Sequence, residues 1–476
     1  MNIGMILDMA AAGGDHPVIT SGERSLTAPE LLELARRAAT RLRSYPAVLY
    51  LGTSHPAYPV VLFGAAAAGI PFVPLNYRLG AEQLAALRDR HPGALVLEQD
   101  DLDPFLAAIA DEAPAEQDAA ADEDAVAAII YTSGTTSAPK AALLRHRHLT
   151  AYLINTVEYG AGIGQSTLVS VPPYHIAGLT NLLSNLYSGR RVVYLPAFDP
   201  ERWLETVRRE GVTHAMLVPT MLARIVATVE GDDARTPTLV SLAYGGSRTP
   251  RPVLERALRV FGSTGFVNAY GLTETASSVA LLGPDDHRTA AASSDPAVRD
   301  RLGSVGRPLP GIEFEIRSEA GEPVPQGDTG LVFVRGEQIS GEYGDRSVLD
   351  DRGWFPTRDL GRLDAEGYLF IEGRADDTII RGGENIAPAE IEDVLLEFPG
   401  ISEAAVIGVP DPEWGQRLVA VVVGAGDPEQ IRDWVKQRLR SSKTPDAIVF
   451  RPELPKTDTG KLLRRTLVAE MESSNA

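Results

Sequence analysis

The chain of 476 residues contains no cysteine. Without thiols it forms neither disulfides nor thiolate metal sites, and it has no cysteine nucleophile. Basic residues are also scarce, because 45 Lys and Arg stand against 64 Asp and Glu, a formal net charge of −19. Binding to a phosphate backbone or an anionic membrane surface requires a basic face, so this balance counts against nucleic acid and membrane partners.

Long uninterrupted hydrophobic runs are lacking as well. Residues 56–75 carry no charge and have the length of a membrane-spanning helix, but prolines and glycines punctuate them. We therefore predict a buried helix over 57–68 and a strand over 70–74, without membrane insertion. The start of the chain lacks the basic segment of a signal peptide, and its last residues differ from the Ser-Lys-Leu peroxisomal address. These features favour a cytoplasmic protein.

Apolar residues make up 44% of the chain and charged residues 23%, which is typical of soluble globular enzymes. Strand-like runs alternate with helical stretches, the clearest helix being 28–42 with Thr27 as its cap. This alternation predicts an α/β fold with mostly parallel sheets. The predicted strands are 47–51, 95–97, 126–131, 168–171 and 191–195. Residues 284–300, rich in Ala, Ser and Asp, are predicted to be a loose segment.

The likeliest domain boundary follows the predicted strand 367–372. We predict a large N-terminal domain of layered α/β subdomains over residues 1–375 and a small α+β domain over 376–476. The elements predicted for the small domain are a helix over 388–397, strands over 404–409 and 419–423, and a helix over 428–439.

The segment Tyr131–Lys140, YTSGTTSAPK, follows the apolar run 125–130. A strand that feeds a polar loop can present backbone N–H groups and hydroxyls to phosphate oxygens, with Gly134 allowing close approach and Lys140 adding a charge. The spacing differs from a Walker A loop. A Ser/Thr-rich surface turn is the alternative interpretation of this segment alone.

Four further segments follow in order. They are NAYGLTET over 268–275, GWFPTRDL over 353–360, GRADDTIIRGGENI over 373–386 and PKTDTGK over 455–461. Together with YTSGTTSAPK they resemble the motifs of the adenylate-forming superfamily of acyl-CoA synthetases, peptide-synthetase adenylation domains and luciferases. The resemblance runs from about Ser25 to about Arg465.

The resemblance implies a two-step reaction with ATP, Mg²⁺ and coenzyme A. A small carboxylic acid is first activated as acyl-AMP with release of pyrophosphate, and the acyl group then passes to the thiol of coenzyme A. Lys461 resembles the lysine that bridges the carboxylate and the α-phosphate, and Glu274 is the candidate Mg²⁺ ligand with Thr135 as a second. The residues implied for the phosphates are Thr132, Ser133, Gly134, Thr135, Thr136 and Lys140.

For the nucleoside, Tyr270 offers a ring for adenine and the Asn268 carbonyl an acceptor for its amine. Asp359 and Arg374 are the expected ribose contacts, with a purely structural ion pair as the alternative. The other residues implied around AMP are Gly245, Gly246, Ala269, Gly271 and Thr273.

Segment 171–178, VPPYHIAG, resembles the acyl-CoA synthetase version of its motif, with His175 at the acyl pocket. It has no aspartate to pair with a substrate ammonium, which counts against an α-amino acid. The pocket implied by the resemblance contains His175, Ile176, Ala177, Gly178, Gly245, Gly271, Ala276 and Ser277. The small side chains of Ala177, Gly178, Ala276 and Ser277 leave room for an aryl or medium-chain acyl group.

The small domain resembles the mobile lid of aryl- and acyl-CoA ligases such as 4-chlorobenzoate-CoA ligase, with Asp376 as its hinge. The residues implied for coenzyme A are Arg381, Gly382, Gly383, Glu384 and Trp414. For Trp414 the alternative is a surface cluster of the small domain. The acceptor thiol can also belong to an acyl carrier protein, and a homodimer is a further open partner.

Two departures from the family pattern bear on activity. Ser137 and Ala141 stand where the family has glycines, so a loss of positive-φ freedom could slow pyrophosphate handling. A degenerate relative that binds nucleotide without turnover is therefore an alternative, and luciferase-like oxidation a remote one. The presence of Lys140, Glu274, Asp359 and Lys461 favours an active ligase.

Overall fold

The computed structural model describes residues 1–115, 122–132, 139–344, 346–381, 384–457 and 460–474. Up to residue 374 its strands are β1 (Pro17–Ser21), β2 (Arg24–Thr27), β3 (Val48–Leu51), β4 (Phe72–Pro74), β5 (Leu95–Glu98), β6 (Val126–Thr132), β7 (Lys140–Arg145), β8 (Ser166–Val169), β9 (Arg191–Tyr194), β10 (His214–Leu217), β11 (Ser241–Gly245), β12 (Gly265–Leu272), β13 (Ser277–Leu282), β14 (Arg307–Pro308), β15 (Glu313–Arg317), β16 (Gly330–Arg335), β17 (Glu342–Tyr343), β18 (Arg346–Ser347), β19 (Phe355–Leu363) and β20 (Leu369–Arg374).

The helices of the same region are α1 (Gly4–Ala12), α2 (Ala28–Leu42), α3 (Ala57–Ala68), α4 (Ala81–Arg88), α5 (Leu102–Ile109), α6 (His146–Thr156), α7 (Ile176–Ser188), α8 (Pro200–Arg209), α9 (Pro219–Thr228), α10 (Arg251–Val260), α11 (Pro284–Ala292) and α12 (Pro296–Asp300). Short 3-10 turns add Gln99–Asp101, Thr273–Thr275, Arg301–Gly303 and Ala375–Asp377.

Two large sheets carry this region. One has the order β14-β13-β12-β11-β10-β8-β9-β1-β2, and the other β18-β17-β7-β6-β4-β3-β5. The strands from β12 to β1 run parallel in the first sheet, and β6, β4, β3 and β5 run parallel in the second. The predicted α/β class with parallel-rich sheets is confirmed. The wholly antiparallel sheet β15-β16-β19-β20 was not part of that prediction.

Local sequence rules account for the helices that were predicted. The α2 helix begins with a reciprocal capping box between Thr27 and Glu30. The uncharged stretch forms the buried helix α3, which ends where Gly69 adopts a φ of +74°. No helix among the described residues combines the length and the apolar character that a bilayer crossing requires.

One sequence expectation was wrong. The segment 284–300 is ordered into α11 and α12, because each helix has a proline in its first turn and Asp295 caps the second. The motif NAYGLTET over 268–275 lies partly within a strand, since β12 continues through Asn268 to Leu272. Its residues are therefore held by the sheet ladder.

The C-terminal elements are β21 (Ile379–Arg381), β22 (Glu384–Ile386), α13 (Pro388–Leu396), β23 (Ile401–Asp411), β24 (Gly415–Gly424), α14 (Pro428–Arg438), β25 (Ala447–Arg451) and α15 (Arg464–Ser474), with the 3-10 turn Ser441–Lys443. Two buried clusters of described residues lie wholly within 379–471, and three others lie within the first 371 residues. The apolar cores of the two regions are thus separate.

Candidate active site

The carboxyl ends of β11 and β12 form the floor of the site. In parallel sheets ligands bind at these ends, where the backbone must leave space. Gly245 pairs with Ala269, and a Cβ on Gly245 would lie 2.1 Å from the Ala269 carbonyl oxygen. A Cβ on Gly271 would lie 1.9 Å from the carbonyl oxygen of Ser277. Gly246 has a φ of +86°, so all three glycines are required by backbone geometry.

The phosphate side is built by the hairpin of β6 and β7. Thr132 pairs with Lys140 across it, and the Thr132 hydroxyl faces the Lys140 carbonyl oxygen at 3.5 Å. Lys140 itself lies 5.4 Å from the centre of the Tyr343 ring, within cation–π range. The predicted phosphate residues Ser133, Gly134, Thr135 and Thr136, and Ser137, lie outside the described residues.

The suspected loss of glycine freedom at Ala141 was wrong. Ala141 lies inside β7, opposite Tyr131, in extended backbone that any residue adopts. The residue therefore needs no positive φ, and its methyl group gives no reason for slow pyrophosphate handling.

Glu274 lies in the 3-10 turn Thr273–Thr275 and is buried, at 8% exposure. Its side chain accepts a short hydrogen bond from the Tyr343 hydroxyl, and its carbonyl oxygen accepts from the amides of Ser340 and Gly341 at 2.9 and 3.2 Å. Burial, and then the Glu274 carboxylate, raise the pKa of Tyr343, so the phenol stays protonated as a donor.

The nucleoside side contains a buried polar triad. The Asp359 carboxylate accepts from the Tyr270 hydroxyl at 2.5 Å and pairs with Arg374 at 2.8 Å. Burial raises the pKa of Asp359, and Arg374 and Tyr270 oppose that rise. The ion pair that was the alternative for Asp359 and Arg374 is therefore present. Ribose binding by these residues stays a prediction.

The Asn268 side chain donates from its amide nitrogen to the Ser304 carbonyl oxygen at 3.0 Å. The hydrogen bond fixes the amide and leaves its carbonyl oxygen as the group for an adenine amine. Tyr270 packs partly buried against the cluster around Val279 and Val334. Adenine stacking on this ring stays a prediction.

Lys461 reaches this site from the C-terminal region. Its pKa is lowered by loss of hydration and by Arg374, while Asp377, Asp359 and Glu274 act to raise it. The lysine side chain keeps access to solvent. Gly460, at a φ of +78°, brings the loop against Thr220 of α9, so closely that a Cβ there would lie 2.3 Å from that side chain. Lys461 therefore shares one electrostatic site with Glu274 and Asp359.

The acyl-pocket residues gather around the start of α7. His175 occupies the N-cap position, and its ring lies 4.5 Å from that of Tyr174. Ile176 and Ala177 pack on the main core, and Gly178 lies where a Cβ would be 2.8 Å from the Pro172 carbonyl oxygen.

The α7 helix is tied to the turn after Glu274, because Thr180 donates to the Ser277 hydroxyl at 3.1 Å. Ala276 and Ser277 have φ values of +51° and +115°, and such strain is typical of functional sites. The start of α7 thus lies beside the turn that carries Glu274, Ala276 and Ser277.

The predicted coenzyme A residues form a separate group. Arg381 pairs with Asp446 at 2.6 Å and lies 5.4 Å from the Trp414 ring, which is 46% exposed. Glu384 pairs with Arg440 at 2.5 Å. Gly382 and Gly383 lie outside the described residues. Among the described residues, these contacts are all with the small domain, whereas the loop of Lys461 lies against Thr220 of the large domain.

Two ion pairs link the regions on either side of the predicted hinge. Asp376 accepts from Arg358 at 3.0 Å, and Arg248, just after β11, pairs with Asp393 of α13. These contacts accompany the arrangement in which Lys461 faces the site.

The residues of the site can be compared with the ligands that usually hold a divalent cation. No group of three or more His, Cys, Asp or Glu that could hold a metal occurs in the described part of the chain. The buried carboxylate of Glu274, near the hairpin of β6 and β7, instead suits Mg²⁺, which is usually held by one or two carboxylates, water and substrate phosphates. The site fits a cation that arrives with ATP.

Sequence reasoning missed Tyr343 and Arg248. Tyr343 is a lone aromatic residue in a polar, glycine-containing segment, and it lies 69 positions from Glu274. Arg248 and Asp393 are separated by 145 positions. Neither pair leaves a local signal in the sequence.

Comparison with known proteins agrees with this geometry. The AMP-binding enzyme family matches residues 8–343, and the C-terminal domain family of AMP-binding enzymes matches 390–461. A feruloyl-CoA synthase from Amycolatopsis sp is 37% identical over 476 residues, covering 94% of each chain. ScoC, a fatty acid–[acyl-carrier-protein] ligase of Streptomyces coeruleorubidus, is 31% identical over 493 residues, covering 95% of this chain and 92% of its own.

The ATP-bound crystal structure of MatB from Rhodopseudomonas palustris is similar over 100% of both chains, with a TM-score of 0.89 and 26% identity. The two family matches together cover most of the chain. The chain therefore belongs to the AMP-binding enzymes, the adenylate-forming superfamily that its motifs resemble.

Proposed function

We infer that this protein is an ATP-dependent acyl- or aryl-CoA ligase of the AMP-forming kind. It joins a carboxylic acid to AMP with release of pyrophosphate, and then transfers the acyl group to the thiol of coenzyme A with release of AMP. The observation that carries this inference is the convergence of Lys461, Glu274 and Asp359 on one site. The match to a feruloyl-CoA synthase over nearly the whole chain supports it.

In the first step the acid must approach an anionic α-phosphate. Lys461 offsets the repulsion between these two anions, and it acts where charge develops in the transition state. Burial and Arg374 lower the pKa of Lys461, and the carboxylates of Asp377, Asp359 and Glu274 oppose that shift and favour the charged form that this role requires. Lys140 and Thr132 hold the β- and γ-phosphates as pyrophosphate departs.

Mg²⁺, held by Glu274 together with the phosphates, would neutralise charge on the departing pyrophosphate. The nucleoside lies between the Gly245–Gly246 wall and the Tyr270 ring. Asp359 and Arg374, fixed by their ion pair, present the remaining lone pairs and N–H groups to the ribose.

For the second step we propose that residues 376–476 rotate about Asp376 relative to residues 1–375. The rotation withdraws Lys461 and brings the Arg381–Trp414 face to the same pocket. The separate apolar cores of the two regions support such a movement, because neither core must open for it. Arg381 and Trp414 would contact coenzyme A.

We propose an aromatic carboxylic acid as the substrate. The small residues Ala177, Gly178, Ala276 and Ser277 leave space, and the relative that is 37% identical is a feruloyl-CoA synthase. We further place the protein in the cytoplasm. A homodimer remains a prediction without structural support.

The second candidate acceptor is the phosphopantetheine thiol of an acyl carrier protein. The likeness to ScoC, a fatty acid–[acyl-carrier-protein] ligase, favours it, since both acceptors present the same thiol. The two candidates differ in the acceptor and in the acid.

The test is coupled AMP release from purified protein with ATP and Mg²⁺. A panel of aryl acids and linear fatty acids is assayed with no thiol, with coenzyme A and with holo acyl carrier protein. We expect AMP release that requires an aryl acid and coenzyme A. Release that requires a linear acid and the carrier protein would favour the second candidate. Absence of acid-dependent pyrophosphate exchange across the panel would contradict both.

A further inference from the structure

The segment Gln338–Tyr343 joins the two halves of the phosphate site. The buried Gln338 amide donates to the carbonyl oxygens of Thr275 and Ser278 at 2.9 and 2.8 Å. Tyr343 pairs with Ala142 of β7, the strand that begins at Lys140. This segment therefore connects the turn of Glu274 to the strand of Lys140.

Glu274 is held by this segment at two levels. The amides of Ser340 and Gly341 fix its carbonyl oxygen, and the Tyr343 hydroxyl fixes one oxygen of its carboxylate. Within the described part of the chain, this leaves the other carboxylate oxygen for a cation. A carboxylate that is already oriented loses less side-chain entropy when it binds a ligand.

Tyr343 is itself held by a contact to its ring and by the ion pair of its neighbour Glu342. Its ring lies under the Lys140 ammonium, and the neighbouring Glu342 receives Arg145 on both carboxylate oxygens at 2.7 to 3.1 Å. The phenol is thus held between a cationic and an anionic group of the site. A side chain that binds a ligand is oriented more precisely when the residues around it are themselves fixed by contacts.

We propose that Tyr343 is a positioning residue that orients the Glu274 carboxylate for the cation that accompanies ATP. The inference rests on the proposed role of Glu274. In this role Tyr343 acts through the hydrogen bond that it donates to Oε1 of Glu274. The ligand of the Glu274 carboxylate would be a divalent cation that is bound together with a nucleoside triphosphate.

The experiment measures ATP affinity by titration calorimetry, with Mg²⁺ and with EDTA, for the wild-type chain and Y343F. The variant keeps the ring under Lys140 and removes only the hydroxyl. We expect about tenfold weaker ATP binding with Mg²⁺, the effect of losing one hydrogen bond to a charged group. With EDTA, affinity should remain within about twofold, because the hydrogen bond then serves no cation.

Tyr368 offers a matched control. Its hydroxyl donates to Asp286 at 2.7 Å, and Arg301 and Arg307 lie over its ring, so it too is a phenol between a carboxylate and cations. Y368F should leave ATP affinity unchanged in both solutions. An equal loss in Y343F with Mg²⁺ and with EDTA, or no loss at all, would overturn the proposal.

A double-mutant cycle with E274Q separates positioning from general structural support. In the E274Q background, Y343F should weaken Mg²⁺-dependent binding no further. Additive losses would overturn the proposal. Because binding is measured without acid or thiol, failure of this proposal is distinct from failure of the ligase function, which the AMP-release assay decides separately.

Discussion

The C-terminal domain presents two functional faces, and they differ in what they touch. The Lys461 loop is docked on the large domain, with Gly460 against Thr220 and the lysine in the field of Asp359. The Arg381–Trp414 face is occupied with its own domain, and its tryptophan is nearly half exposed. One domain therefore carries the Lys461 face, which contacts the large domain, and the Arg381–Trp414 face, whose contacts among the described residues are within its own domain.

In the two-step scheme proposed above, the structure corresponds to the arrangement for adenylation. A rigid domain tethered at one point presents only one of two separated faces to a pocket at a time. The ion pairs Arg358–Asp376 and Arg248–Asp393 belong to this arrangement, and rotation about the hinge must alter them. Four changes to the protein or its conditions should separate the two faces, and the expected effect on the reaction decreases from the first to the last.

The largest effect is expected from removing the charge of Lys461. K461A should reduce acid-dependent ATP–pyrophosphate exchange by about a thousandfold, because a charge that stabilises the transition state is lost. Lys456 is the matched control, since it lies on the same loop and pairs with Glu403 at 2.6 Å. K456A should retain exchange within about twofold. Equal losses in both variants would contradict a specific role for Lys461.

Restricting the hinge should slow the step that we assign to the Arg381–Trp414 face. D376P fixes the backbone in the 3-10 turn Ala375–Asp377, so we expect about a hundredfold slower thioester formation with pyrophosphate exchange retained. D376A is the control, because it removes the Arg358 contact but keeps backbone freedom. Normal thioester turnover in D376P would contradict the hinge at this residue.

A smaller effect is expected at Trp414. W414A should raise the KM for coenzyme A about tenfold without changing pyrophosphate exchange, since an exposed aromatic contact contributes to binding alone. W414F should recover most of the loss. If W414A slowed both half-reactions equally, Trp414 would be a structural residue of the small domain.

The change with the smallest expected effect on the two half-reactions concerns acid stability. All eight histidines precede residue 288. Burial lowers the pKa of His146, His148 and His214 to about 4, below the unfolded value of 6.5. The unfolded state therefore takes up protons first. Stability of the large region is complete above pH 6.5 and falls towards pH 4, by up to about 1.4 kcal/mol per pH unit for each histidine.

In the small domain, burial raises the pKa of Asp393 to about 6, which acts in the opposite direction. Hydrogen exchange between pH 7 and pH 4.5 checks the difference. Amides of α6 and β10 should lose protection as the pH falls, while those of β23 and β24 should keep theirs. Equal loss in both regions would contradict this assignment.

The spacing of apolar residues, together with the capping residues, glycines and prolines at the ends of elements, sufficed to predict much of the fold. The helix 57–68 and the cap at Thr27 were predictable because they depend on neighbours in sequence. The antiparallel sheet β15-β16-β19-β20 was not predicted, because strand pairing depends on distant partners. For the same reason Asp359 and Lys461 could be named from motifs, whereas Tyr343 and Arg248 required coordinates.

The central claim is that two faces of one domain serve one pocket in succession. The most direct test supplies K461A with preformed aroyl-adenylate and coenzyme A and measures thioester formation. The account predicts a rate close to that of the wild type, because the lysine face is no longer needed once the adenylate exists. A loss as large as that in pyrophosphate exchange would contradict the division of the two steps between two faces.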